Sequence, residues 1–168
     1  MASRVHDDRW TLLRDDVAAA VADLAAGADL YETELREEAP PRLRLMREKA
    51  FQKFLQDGYA SLEAAMKRAL QLYGGVLPSG GSWHADLVAL TTAPGAEGRP
   101  AFAPDLARDI RRLLQFRHFA VHGYMRFEAE DAAPAAAAAR RVAAALPAAA
   151  EAFGRAAGLL SEDPPSAK

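Results

Sequence analysis

The side chains best suited to chemistry are concentrated in one stretch of eight residues, from Arg117 to Tyr124. It contains Arg117, His118, His122 and Tyr124, and so two of the four histidines in the chain. An imidazole titrates near neutral pH and can act as a general base or a general acid. A guanidinium stays charged and offers a fork of donors that matches phosphate oxygens. These residues could therefore support proton transfer on a phosphate-bearing substrate.

The helix that must position this stretch is predicted to run from Pro104 to about His122, with two distinct faces. At 100° per residue, a polar and mostly basic stripe separates from an apolar arc. The stripe contains Arg108, Arg111, Arg112, Gln115, His118 and His122, and the arc contains Leu106, Ile110, Leu113, Leu114, Ala120, Val121 and Tyr124. Arg117 falls in the middle of the apolar arc, where an unpaired charge would be costly.

Two interpretations of Arg117 are open. The arginine could form an ion pair with a carboxylate of the first or second helix. Candidates are Asp16, Asp23, Glu48 and Glu63. Alternatively, the apolar arc could open onto a partner subunit, so that Arg117 reaches into a polar cleft between two copies of the helix.

The histidines also have a structural alternative to a catalytic role. His118 and His122 are four residues apart, a spacing that can hold a metal. A metal would need a third ligand, and the other two histidines, His6 and His84, lie in distant segments. We therefore expect no metal site. His122 could be catalytic, or it could be an exposed histidine favoured by the dipole at a helix end.

The remaining candidate residues also have both a functional and a purely structural interpretation. Gly123 can end the helix in a left-handed turn, which would allow Tyr124 to lie beside His122. Tyr124 could instead be a buried residue at the helix end with its hydroxyl at the surface. The three arginines of the stripe could hold flanking phosphates, or they could form a solvated basic face.

Composition limits the class of protein. The 168 residues suit one domain, predicted over 1–160 with a disordered tail at 161–168. With 21 basic and 23 acidic residues the net charge is -2, so nucleic-acid binding by bulk charge is not expected. The chain has no cysteine, no apolar run near the roughly 18 residues of a membrane span, and no signal-peptide core. We expect a soluble, cytoplasmic protein without a cofactor or a membrane partner.

Apolar residues recur every three or four positions along most of the chain, which predicts helices. A first helix is expected from Asp7 or Asp8 to Leu35, and a second from Pro41 to Gly74-Gly75, with Gly58 as a close-approach point or a mild kink. A short helix capped by Ser82 should cover 83–90, before a loop at 91–104. A last helical stretch at 131–160 should kink or split at Pro147. The predicted fold is all-α, an up-and-down bundle of four to five helices.

The spacing of Arg117, His122 and Tyr124 is the Arg-X4-His-X-Tyr signature, and the chain resembles the HEPN superfamily. It is most similar to the HepT-like ribonuclease toxins, which pair with MNT-type minimal nucleotidyltransferases in bacterial toxin–antitoxin systems. The helical layout over about 8–160 is similar too. His118 departs from the pattern, since asparagine or aspartate is usual after the arginine.

This resemblance implies a metal-independent endoribonuclease with its site in a homodimer cleft. His122 would be the general base or acid, and Arg117 would hold the scissile phosphate and its developing charge. His118 would orient the RNA or share in proton transfer, while Arg108, Arg111 and Arg112 could contact flanking phosphates. Tyr124 matches the tyrosine that the nucleotidyltransferase antitoxin modifies with AMP.

Two alternatives to a ribonuclease remain. One is a non-catalytic HEPN-like module that holds a nucleotidyltransferase or a nucleotide, an interpretation for which the unusual His118 leaves room. The other is a helical bundle unrelated to RNA. RNA cleavage that depends on His122 would separate the enzyme from both.

Overall fold

The structure, a computed structural model, describes the backbone of residues 2–122 and 128–160 and the side chains of 8–120 and 128–160. Within these residues all regular elements are helical, which confirms the all-α prediction. They are α1 Ala2–Leu30, α2 Pro41–Gln71, α3 Trp83–Thr92, α4 Ala107–His122 and α5 Ala129–Ala156, with a π-helical turn at Tyr31–Leu35 and 3-10 turns at Ala96–Gly98 and Pro104–Leu106.

The core lies between the long helices. α1 packs along α2 and α5, α4 packs against α5 and α2, and α3 contacts both α2 and α4. The predicted seam of α1 is buried at Trp10, Leu13, Val17, Leu24 and Ala28. Facing it, α2 buries Phe51, Leu55, Tyr59, Leu62 and Met66. Members of each series are three, four or seven residues apart, so one face of each helix supplies the core.

At Gly58, α1 and α2 approach each other closely. A Cβ atom at this position would lie 2.7 Å from Cγ of Leu24 and 3.1 Å from its backbone nitrogen. Since a backbone atom cannot move aside as a side chain can, a larger residue here would force the helices apart. The close-approach interpretation of Gly58 is confirmed.

Several predicted boundaries are wrong. α1 begins at Ala2 rather than at Asp7 or Asp8, and its continuation to Leu35 is a π-helical turn. α5 starts at Ala129 and runs unbroken through Pro147 to Ala156, so Pro147 does not split it. An interior proline costs a helix about 3 kcal/mol. Alanine-rich flanks and the burial of residues such as Leu146 and Phe153 offset that cost.

Ser82 occupies the residue before α3 but does not cap it through its side chain. Its hydroxyl instead donates to Oδ2 of Asp86 at 2.7 Å. The carboxylate, an acceptor with a full charge, competes successfully for the hydroxyl proton. The single domain over 1–160 stays a prediction, and the predicted tail at 161–168 lies outside the described residues.

Candidate functional site around Arg117

The two faces predicted for α4 are present in the described residues. Ile110, Leu113 and Leu114 are buried. The stripe residues Arg108, Arg111, Arg112, Gln115 and His118 are exposed. No carboxylate in the described part of the chain forms an ion pair with the three stripe arginines. Their charges are therefore left facing solvent along one side of α4.

Arg117 belongs to the apolar side of α4 by its helical position and is half-buried. Its Nη1 atom is 3.0 Å from Nε2 and 3.3 Å from Nδ1 of His84. Its guanidinium carbon lies 5.7 Å from the centroid of the Tyr59 ring, within the range of a cation–π contact. Arg117 is thus held by two aromatic rings, one from α2 and one from α3.

The direct ion pair considered for Arg117 is not found. Among the described residues no carboxylate lies within ion-pair distance of its guanidinium. Two of the candidate carboxylates are taken by other arginines, since Asp16 pairs with Arg68 at 2.5 Å and Glu48 with Arg44 at 3.3 Å. Glu63 is nearby, but its contact is with His84. An imidazole therefore stands where a carboxylate was expected.

Glu63 contacts His84, and His84 in turn contacts Arg117. Oε2 of Glu63 lies 2.5 Å from Nδ1 of His84, and the glutamate is only 7% exposed. Oε1 accepts a hydrogen bond from Nζ of Lys67 at 3.1 Å. A buried carboxylate is tolerated when such partners satisfy it. Because an ionised carboxylate can only accept, Nδ1 of His84 must carry the proton in this pair.

The His84 ring is also confined by aromatic neighbours. The indole of Trp83 stacks on it with a centroid separation of 3.6 Å and an interplanar angle of 28°. The ring of His118 meets it edge-on, with centroids 6.0 Å apart. Nζ of Lys67 lies 4.4 Å from the Trp83 centroid. The imidazole of His84 thus contacts Glu63 and Trp83, and Lys67 contacts both of these residues.

The sequence interpretation set His84 aside as distant from the candidate stretch, and this was wrong. Thirty-three positions separate His84 from Arg117, but α3 packs across both α2 and α4. Helical periodicity cannot reveal such a crossing, because the loops on either side of α3 decide where it lies. The one available signal was a tryptophan–histidine pair opening a short helix directly after Gly80, Gly81 and Ser82.

Tyr59 contributes a ring but no hydroxyl contact. The residue is fully buried, and its hydroxyl has no hydrogen-bond partner in the described part of the chain. Burial raises the pKa of Tyr59 far above its usual value, the nearby Glu63 raises it further, and Arg117 lowers it. The phenol is therefore neutral at any working pH and can serve Arg117 only through its ring.

A bidentate ion pair fixes α4 on α5. Nε and Nη2 of Arg141 lie 2.8 Å and 2.7 Å from the two carboxylate oxygens of Asp109. The hydrogen bonds from Arg141 hold the pKa of Asp109 below its usual range, against the opposing effect of burial. Arg108 and Arg112 lower it a little more. This pair links the start of the helix that carries Arg117 to α5.

Two predicted site residues cannot be placed fully. His122 is the last residue of α4, but its side chain lies outside the described part, as does the whole of Tyr124. The roles predicted for them remain predictions. Within the described residues no group of three or more side chains suited to metal binding is found. None of the described helices has both the length and the apolar character that crossing a membrane requires.

Comparison with known families decides the assignment. The model of a family described as HepT-like protein matches residues 50–157, more than half of the chain. The chain belongs to the HepT-like family. The match includes all of α3, α4 and α5 and most of α2, so this HepT-like protein carries the Arg117 site inside its family region. Searches among curated proteins and among solved structures found no match.

Proposed function

We propose that this HepT-like protein is a metal-independent endoribonuclease and the toxin of a bacterial toxin–antitoxin system. The observation that carries the proposal is the half-buried Arg117 with no carboxylate partner among the described residues. A guanidinium that is held in place but not neutralised is suited to receive an anion. The phosphate of an RNA backbone is such an anion, and the exposed arginines of α4 could hold its neighbours.

The reaction needs three things of the site. The 2′-hydroxyl must lose its proton, the pentavalent phosphorane must be stabilised, and the leaving 5′-oxygen must gain a proton. Arg117 stabilises the developing negative charge, an interaction that is strongest in the transition state. His122 transfers protons as general base or general acid. No metal takes part.

His118 belongs to the same site. It is exposed, and its ring lies against that of His84, next to Arg117 in the chain. In place of the usual asparagine or aspartate, its imidazole orients the RNA or shares in proton transfer. The departure from the family pattern thus keeps a polar group at this position.

The proposed active unit is a homodimer in which two copies of α4 face one cleft. Two Arg117 and His122 sets then lie on a single RNA. Phe119, a large apolar side chain on the same segment, is 62% exposed and would be covered in such a dimer. The proposed antitoxin is an MNT-type nucleotidyltransferase that adds AMP to Tyr124. The added negative charge and bulk would repel RNA from the cleft.

Incubation of the purified, unmodified dimer with total bacterial RNA in excess EDTA tests this function. We expect discrete cleavage products from wild type and none, or fewer by about 100-fold or more, from His122→Ala, since general acid–base catalysis contributes on that order. Glu151→Gln, an exposed change on α5, serves as the matched control and should cleave as wild type does. Cleavage that survives His122→Ala would refute the mechanism. No cleavage by the unmodified dimer would favour a non-catalytic scaffold.

A further inference from the structure

Arg117 is held through an aromatic ring rather than through a carboxylate. One atom, Nη1, lies 3.0 Å and 3.3 Å from the two ring nitrogens of His84. In the ring plane Cε1 stands between those nitrogens, so an in-plane approach at these distances would clash with it. The guanidinium therefore approaches over the face of the imidazole. The stacked indole of Trp83 covers one face, so Arg117 lies against the other.

This contact leaves most of the guanidinium unused. Nε and Nη2 of Arg117 make no hydrogen bond within the described part of the chain. Those two nitrogens form one edge of the planar fork, the edge that binds two oxygens of one phosphate. A direct bond from Glu63 would have occupied such an edge and offset the charge. The interposed ring avoids both effects.

The ring itself has little freedom. Nδ1 is tied to the buried Glu63, and one face is stacked on Trp83. The His84 side chain is 17% exposed. Lys67 bonds to Glu63 and lies over Trp83, so it links the two groups that hold the ring. A ring held in this way can fix the orientation of the Arg117 side chain that packs on its face.

We propose that the Glu63–His84 pair is a positioning element for Arg117, keeping its charge intact and its Nε–Nη2 edge open toward the scissile phosphate. The role in cleavage rests on the proposed ribonuclease function. His84 acts through Arg117 and does not itself touch the RNA. It lies outside the Arg-X4-His-X-Tyr spacing and on a different helix.

Steady-state cleavage of a fluorogenic RNA oligonucleotide tests the role. Misplacement of a catalytic group by about 1 Å can cost on the order of 100-fold in rate. His84→Ala should lower kcat by roughly 10–100-fold with little change in KM, since the lost interaction develops in the transition state. His84→Gln can still donate to Glu63 but offers Arg117 no aromatic face, so it should recover only part of kcat. Asp86→Ala, on the same helix, is the matched control and should behave as wild type.

A double-variant comparison separates positioning from general damage to the fold. If His84 acts through Arg117, adding His84→Ala to Arg117→Ala should cause no further loss of kcat. Losses that multiply would overturn the inference. Thermal unfolding of each variant identifies any that fail to fold, and His84→Gln then carries the comparison.

A second readout does not depend on cleavage. In ¹⁵N-edited NMR spectra of the full chain, the Arg117 Nε–H group should be rigid in wild type and mobile in His84→Ala. An equally rigid group in both proteins would overturn the positioning role, whatever the RNA assays show. Wild type that cleaves no RNA but loses Arg117 order in His84→Ala would remove the proposed function and leave the positioning intact.

Discussion

At Arg117 a positive charge meets a partly apolar environment, and the surrounding residues determine what that charge can do. The nearby carboxylate of Glu63 is bonded to His84 and Lys67, and aromatic rings contact the guanidinium. Rings attract a cation without neutralising it. The residue can therefore be ordered while its charge stays available to an anion.

Tyr59→Phe tests the claim that only the ring of this residue matters. The buried hydroxyl has no hydrogen-bond partner among the residues that the structure describes, a state that costs about 1–3 kcal/mol. The variant should be as stable as wild type or more stable by up to about 1 kcal/mol, measured by urea unfolding, with cleavage unchanged. A loss of stability above about 1 kcal/mol would show that the hydroxyl has a partner.

Only part of the Arg117 environment could be predicted from the sequence. Angular projection correctly separated the exposed Arg108 and Arg112 from the buried Ile110, because those positions depend on helix geometry alone. It also identified Arg117 as a charge in an apolar arc. The partner His84 could not be found this way, since the Trp83–Thr92 helix reaches Arg117 through tertiary packing.

At the scale of elements, α4 is held from two sides. Its apolar face packs in the core, where Phe116 meets Phe51 of α2 edge-on at 5.5 Å. The Asp109–Arg141 pair ties its first turns to α5. Arg140 of α5 forms ion pairs with Glu32 of the π-helical turn, at 2.8 Å, and with Asp29 of α1. The helix that carries the site is thus anchored at its start, and its last turn carries His118 and His122.

Asp109→Asn should lower the free energy of unfolding at pH 7 by about 1 kcal/mol, the upper range for a partly exposed pair. The folded-state pKa of Asp109 is lowered, chiefly by Arg141. Its contribution is therefore complete above the unfolded pKa of about 3.9 and is lost as the pH falls through the folded value. Denaturant titrations at pH 7 and at successively lower pH measure the difference from wild type.

The control for this prediction is Glu151→Gln, which removes an exposed pair with Arg155 at 3.7 Å. It should change stability by less than about 0.5 kcal/mol. A difference between wild type and Asp109→Asn that stays constant at low pH would contradict the ion-pair explanation. The cause would then be packing or the amide itself.

Element identity was easier to predict from the sequence than element ends. The three-to-four spacing predicted the long helices, since burial of one face repeats along their whole length. The π-helical turn at Tyr31–Leu35 and the unbroken passage through Pro147 escaped prediction. Both depend on whether tertiary contacts compensate for a lost or displaced backbone hydrogen bond. The local sequence does not contain that information.

At the scale of the whole molecule, family membership supports the proposed nucleotidyltransferase partner. The match over 50–157 contains Tyr124, the proposed AMP acceptor. Co-expression with an MNT-type nucleotidyltransferase should add one or more AMP units to the protein, seen by intact mass. Tyr124→Phe should show no addition, because the acceptor hydroxyl is gone, whereas Tyr73→Phe should be modified normally. Modification of Tyr124→Phe to the same extent would place the acceptor elsewhere.

The central claim is that RNA is cut through its own 2′-hydroxyl at a site that contains Arg117 and His122. The most direct measurement uses two oligonucleotides that differ only by a 2′-deoxy sugar at the mapped cleavage position, both incubated with the dimer in EDTA. We predict cleavage of the all-ribose strand, products ending in a 2′,3′-cyclic phosphate, and no cut at the deoxy position. Equal cleavage of both strands, or activity only with added metal, would contradict the account.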